Sequence, residues 1–127
     1  MLKLKNGLLF VCLAVFAVGC VTSGITNLTP SKVKRTPNNL YHVEYQWNSN
    51  QQTLRPDTIT PVVVVGQETY PMRKVPKMQN RWEAYIPVPP DRKSVNYRFK
   101  VDYDYNAFGK RGKDSMLSPE YKLVLED

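Results

Sequence analysis

The chain holds one histidine and two cysteines, so nucleophilic and metal chemistry have few residues to draw on. His42 sits in Tyr41-His42-Val43-Glu44, on the polar side of an alternating stretch. A Ser-His-Asp arrangement needs an activated serine beside the histidine, and no Gly-x-Ser-x-Gly motif occurs. His42 therefore reads as a surface side chain. Zinc needs a cluster of His and Cys ligands, and the sequence spacing supplies none. Asp102-Tyr103-Asp104-Tyr105-Asn106 copies the opening of a calcium loop, which requires glycine at position six and glutamate at position twelve. Those positions hold Ala107 and Lys113. A period of two puts Asp102, Asp104 and Asn106 on one wet strand face and explains them without a cation. No catalytic residue, metal or cofactor is expected.

Two basic clusters offer binding chemistry instead. They are Arg73-Lys74-Val75-Pro76-Lys77 and Lys110-Arg111-Gly112-Lys113. Both read as loops. Loops of a sandwich gather at its two ends, so the clusters either share an end as one anion-binding patch or stand apart as solvated turns. Phe108, beside Gly109, is an apolar ring in the second loop. It either anchors a partner or folds back over the sandwich end. The candidate contact surface is Arg73, Lys74, Lys77, Phe108, Lys110, Arg111 and Lys113.

The N-terminus says where this chemistry takes place. Lys3 and Lys5 open it, and an apolar run follows from Leu8 to Val18. A basic start, a short apolar core and small residues before a cut site describe a secretory signal peptide. The run is about 11 residues, well short of the roughly 20 that a spanning helix needs. Its ending, Ala17-Val18-Gly19-Cys20, resembles a bacterial lipobox. The resemblance implies that the Cys20 thiol takes a diacylglycerol, that the chain is cut before it, and that the new amine is acylated. Val21 stands where aspartate marks inner-membrane retention, which implies the outer membrane of a two-membrane cell. The expected location is the cell envelope, with Cys20 as the anchor.

Loss of residues 1–19, including Lys3 and Lys5, leaves 16 basic against 11 acidic residues, a net of +5. That excess suits lipid phosphates or an acidic protein face. A nucleic-acid partner is not expected, because no recognition motif appears. The same cut removes Cys12 and commits Cys20, so no disulfide is expected and packed side chains must stabilise the domain.

The elements that would position these residues are strands. Residues 20–38 are rich in Thr, Ser, Asn and Pro and read as a lipidated flexible tether. Beyond them, Tyr41, Val43, Tyr45 and Trp47 alternate with polar residues. Val62 to Val65 is an unbroken apolar run, as in a central strand, and Glu68 to Met72 reads as a return strand whose Pro71 requires an edge. Trp82, Ala84, Ile86 and Val88 alternate again. So do Val95, Tyr97, Phe99, Val101, Tyr103 and Tyr105, over twelve residues. Ala107 to Asp114 reads as a Gly- and Lys-rich loop, and Tyr121, Leu123 and Leu125 as a last strand. Proline breaks and the lack of a helical stretch point to an all-β chain: an immunoglobulin-like β-sandwich of six to seven antiparallel strands at 39–127.

Arg81-Trp82-Glu83-Ala84-Tyr85-Ile86-Pro87-Val88-Pro89, followed by Val95-Asn96-Tyr97-Arg98-Phe99-Lys100-Val101-Asp102, resembles paired strands of the starch- and glycogen-binding immunoglobulin-like modules. The tryptophan that stacks on glucose in those modules lies in an earlier loop. Here Val65 to Met72 has Tyr70 and no tryptophan. The expected function is that of a non-enzymatic outer-membrane lipoprotein binding another envelope component, with a protein partner in view. Carbohydrate binding is the alternative, and it requires two exposed aromatics on one face.

Overall fold

The computed structural model describes residues 23–127. The expected signal segment and Cys20 lie outside them. The described chain forms ten strands: β1 (Ser23–Asn27), β2 (Lys32–Lys34), β3 (Leu40–Ser49), β4 (Thr60–Val65), β5 (Glu68–Pro71), β6 (Arg73–Lys74), β7 (Arg81–Pro87), β8 (Ser94–Ala107), β9 (Lys110–Leu117) and β10 (Tyr121–Glu126). One 3₁₀ turn, Pro56–Thr58, precedes β4.

Two sheets result. One has the order β1-β3-β7-β6, and the other the order β2-β10-β8-β4-β5, with β9 also paired to β8. The first matches the A-B-E-D sheet of an immunoglobulin domain, and β10-β8-β4-β5 follows the G-F-C order of the second, extended by an edge strand. The chain is thus an immunoglobulin-like sandwich by its own strand order. Its pairs are antiparallel except β2 with β10, which run parallel.

Period-two alternation builds the core. Tyr41, Val43, Tyr45 and Trp47 of β3 face Tyr97, Phe99, Val101 and Tyr103 of β8, and all are buried. In antibody domains strands B and F are joined by a disulfide. Here the Tyr45 and Phe99 rings meet across the sandwich at 5.1 Å. Trp47 and Tyr103 form a second contact at 5.4 Å. Aromatic packing occupies the place of the covalent link.

Three expectations need correction. Residues 23–34 are not a flexible tether: β1 pairs with β3 and β2 with β10. Ladder hydrogen bonds hold these edge strands, and Ile25 and Val33 are their only apolar contributions to the core. Ala107 to Asp114 is not a loop either. β8 runs to Ala107, the turn is Phe108-Gly109, and β9 returns in register from Lys110. The strands accordingly exceed the expected six or seven.

The last strand of the sandwich is split. Tyr121 pairs with Tyr97, whereas Leu117 pairs with Lys100, so the register slips by one residue between β9 and β10. A bulge at Ser118 absorbs the slip. The Phe99 amide donates to Ser118 Oγ at 2.8 Å, and the Ser118 amide donates to the Phe99 carbonyl at 2.8 Å. The slip exchanges the parity of inward positions, so Met116 and Tyr121 both pack against the core.

Candidate functional site

The β8–β9 hairpin is the most distinctive surface feature. β8 has 14 residues, a length of about 46 Å, and past the buried Tyr103 its last residues run into the β8–β9 hairpin. Leu54 bridges Tyr105, and the Asn106 amide donates to the Thr53 carbonyl at 2.8 Å. Beyond that brace only the hairpin continues. Its two-residue turn places Phe108 at φ 50° and Gly109 at φ 74°, the paired positive angles that a type I′ loop requires. Glycine takes this conformation readily, whereas a bulky L-residue rarely does. Phe108 takes it with its ring fully exposed.

Side chains along the ribbon divide by parity. On one face Arg111 Nε lies 2.8 Å from an Asp104 carboxylate oxygen, and Lys113 stands opposite Asp104. On the other face the Tyr105 ring covers Gly112, where a Cβ would overlap it. The Tyr103 hydroxyl donates to Asp114 at 3.2 Å. Burial, then the negative charge of Asp114, raises the pKa of that phenol.

The sequence-derived contact residues therefore separate. Lys110, Arg111 and Lys113 lie on a strand, not in a loop, and Arg111 is committed to Asp104. Phe108 points outward instead of folding back. Arg73 and Lys74 form the short β6, where Arg73 pairs with Glu83 at 3.2 Å and Lys74 Nζ sits 5.9 Å from the Trp82 ring centroid. Lys77, at φ 63°, lies in the β6–β7 turn with Met78, which is exposed. Lys77, Lys110 and Lys113 form no ion pair among the described residues.

The β6–β7 turn and the hairpin do share an end. The Asn80 carbonyl, at the close of that turn, accepts from Trp47 near the end of β3. The loop leaving β3 carries Thr53 and Leu54, which brace β8. Ser23 also lies at this end, with its Oγ 2.7 Å from Ser49 Oγ.

A second cluster escaped sequence reading. On the outer face of the four-stranded sheet, His42, Glu44 and Glu83 bring one ligand atom each within 4.8 Å of one another. His42 Nε2–H donates to Glu83 at 2.9 Å. That hydrogen bond is the largest cause holding the Glu83 carboxyl below its usual pKa, with smaller help from the His42 and Arg73 charges. Arg81 pairs with Glu44, so guanidinium groups already satisfy both carboxylates. No serine or cysteine is bonded to His42 among the described residues. Glu44 and Glu83 are opposed in register on neighbouring strands, a pairing that sequence separation conceals. Asp102 and Asp104 lie within β8 as strand residues.

A shallow groove on the larger sheet is lined by Val64, Pro87, Arg98, Leu117 and Glu120 among others. Arg98 and Glu120 are ion-paired at 2.8 Å across it.

No protein-family model matches the chain, and no curated protein matches its sequence. Among solved structures, murine CRIg is similar with a TM-score of 0.45 and 11% identity, covering 82% of this chain and 99% of that one. The immunoglobulin-like architecture rests on the strand order itself.

Proposed function

We propose that this chain is a non-enzymatic outer-membrane lipoprotein whose immunoglobulin-like domain binds another component of the cell envelope. The hairpin carries the reading. An exposed phenylalanine held in a conformation that its type disfavours, with unpaired lysines close behind, is a local cost that folding alone does not require. Such outliers cluster at sites of contact. The lipobox resemblance at Cys20 supplies the envelope location. The carbohydrate alternative has less support: the exposed aromatics of the described residues, Tyr85 and Phe108, lie on different elements, and Trp47 is buried.

The test is co-purification of the tagged, full-length protein from solubilised envelopes. A Phe108→Ser, Lys110→Glu, Lys113→Gln variant should lose its bound component while keeping its melting temperature; Lys113 is neutralised and not reversed because it stands opposite Asp104. Arg111 is left in place because its reversal would set two acids against each other at Asp104. Retention of the component at wild-type level would move the contact surface to the groove beside Arg98. Intact mass of the mature chain should show lipid on Cys20, and Cys20→Ala should release the protein from the membrane or stall its processing.

A further inference from the structure

The hairpin lies at the end of the sandwich from which the N-terminus departs. Ser23 opens β1 opposite Ser49, the last residue of β3. The loop after Ser49 braces the hairpin through Thr53 and Leu54. The turn carrying Lys77 and Met78 closes at Asn80, which lines a hollow with Ser23, Gly24 and Ser49. Only Val21 and Thr22 separate Ser23 from Cys20. Three Cα–Cα steps span at most about 11 Å. A lipid on Cys20 therefore holds this end, and not the opposite one, against the bilayer.

We infer that the hairpin end docks on an anionic phospholipid surface, with Phe108 entering the headgroup layer and Lys77, Lys110 and Lys113 meeting phosphates. The inference rests on the lipoprotein reading above and deepens it by naming what the hairpin touches. Three observations converge. Phe108 is a fully exposed ring at the turn of the β8–β9 hairpin, and apolar rings of this kind bury into the headgroup boundary. Met78, at the same end, is a second exposed apolar side chain. The lysines carry no carboxylate partner among the described residues, and basic groups at an anionic surface are attracted within a Debye length. One ring and three lysines would bind weakly on their own. A tether of three steps makes the contact intramolecular, so weak terms suffice to fix orientation.

The test places a nitroxide label at Phe108→Cys in the full lipidated protein, reconstituted into vesicles of phosphatidylglycerol with phosphatidylcholine. Gln67→Cys, in the β4–β5 turn at the opposite end, is the reference position. Docking should cut collisions of the Phe108 label with a water-soluble nickel reagent several-fold relative to Gln67. Pure phosphatidylcholine, or Lys77→Glu with Lys110→Glu and Lys113→Gln, should restore most of that accessibility. A lipidated, vesicle-bound chain with equal accessibility at both labels would falsify the docking proposal and leave the anchor intact. A chain that carries no lipid and does not sediment with vesicles overturns both. Loss of accessibility at Phe108 without lipid on Cys20 keeps the docking and removes the anchor.

Discussion

Tyr45→Phe should make this domain more stable. Tyr45 is fully buried against Phe99, and its hydroxyl has no hydrogen-bond partner among the described residues. Burial alone pushes its pKa well above the ordinary value of about 10. An unpaired buried hydroxyl costs about 1–3 kcal/mol, and the substitution removes it while keeping the ring. Each kcal/mol should appear as a rise of roughly 4–8 °C in Tm for a domain of this size. Urea unfolding at pH 7 measures the gain, with an unchanged m-value as the check that both states are comparable. The pH dependence gives a second reading. The fold favours the neutral phenol, so its contribution is complete below about pH 10 and is lost as pH rises toward the elevated folded value. The wild type should weaken above about pH 10, and Tyr45→Phe should weaken less. Part of the alkaline loss should remain, because the Tyr103 pKa is raised as well. A destabilised Tyr45→Phe variant would show that the hydroxyl is bonded in the folded state, an unchanged alkaline slope would show that burial does not hold the phenol neutral, and either result refutes the prediction.

Phe99→Ala should cost about 3–5 kcal/mol, because its ring meets those of Tyr45, Tyr97 and Tyr121 with no exposed surface; Lys100→Ala, on the opposite face, should cost under about 0.5 kcal/mol. Equal losses in denaturant melts would reverse the assigned faces of β8. Gly112→Ala should displace the Tyr105 ring and cost about 1–3 kcal/mol. In a Tyr105→Ala background the same change should cost almost nothing, and a full cost in both backgrounds would refute the contact. Glu83 is held ionised first by the His42 hydrogen bond, so its contribution is present above about pH 4.3 and lost as pH falls through its lower folded value. Glu83→Gln should flatten the acid side of the stability curve, and an unchanged acid slope would remove Glu83 as its source.

The buried strands were legible because they carry their own signal. β3 and β8 each present an uninterrupted apolar row, and each row became one wall of the core. Pro71 placed β5 at an edge, where it pairs with β4 alone. The strands that stayed hidden take their order from neighbours. β1 reads as polar spacer apart from Ile25 because edge pairing needs few apolar groups. β9 reads as loop because Gly112 yields its inward position to Tyr105 and Asp114 answers the Tyr103 hydroxyl. The site was legible in part. Phe108 and the lysines stood out by composition, but the commitment of Arg111 to Asp104, and of Arg73 to Glu83, depends on register. So does the His42–Glu44–Glu83 cluster, in which Glu83 of β7 meets His42 and Glu44 of β3 only across a ladder.

The proposed contact surface is the hairpin end of an envelope-anchored domain. Photo-crosslinking in intact cells tests it directly, with a benzophenone side chain at position 108 and the same group at position 67 as reference. Position 108 should give a strong adduct with an envelope component and position 67 little. Equal adducts from both ends, or none from position 108 while position 117 in the groove crosslinks, would contradict it.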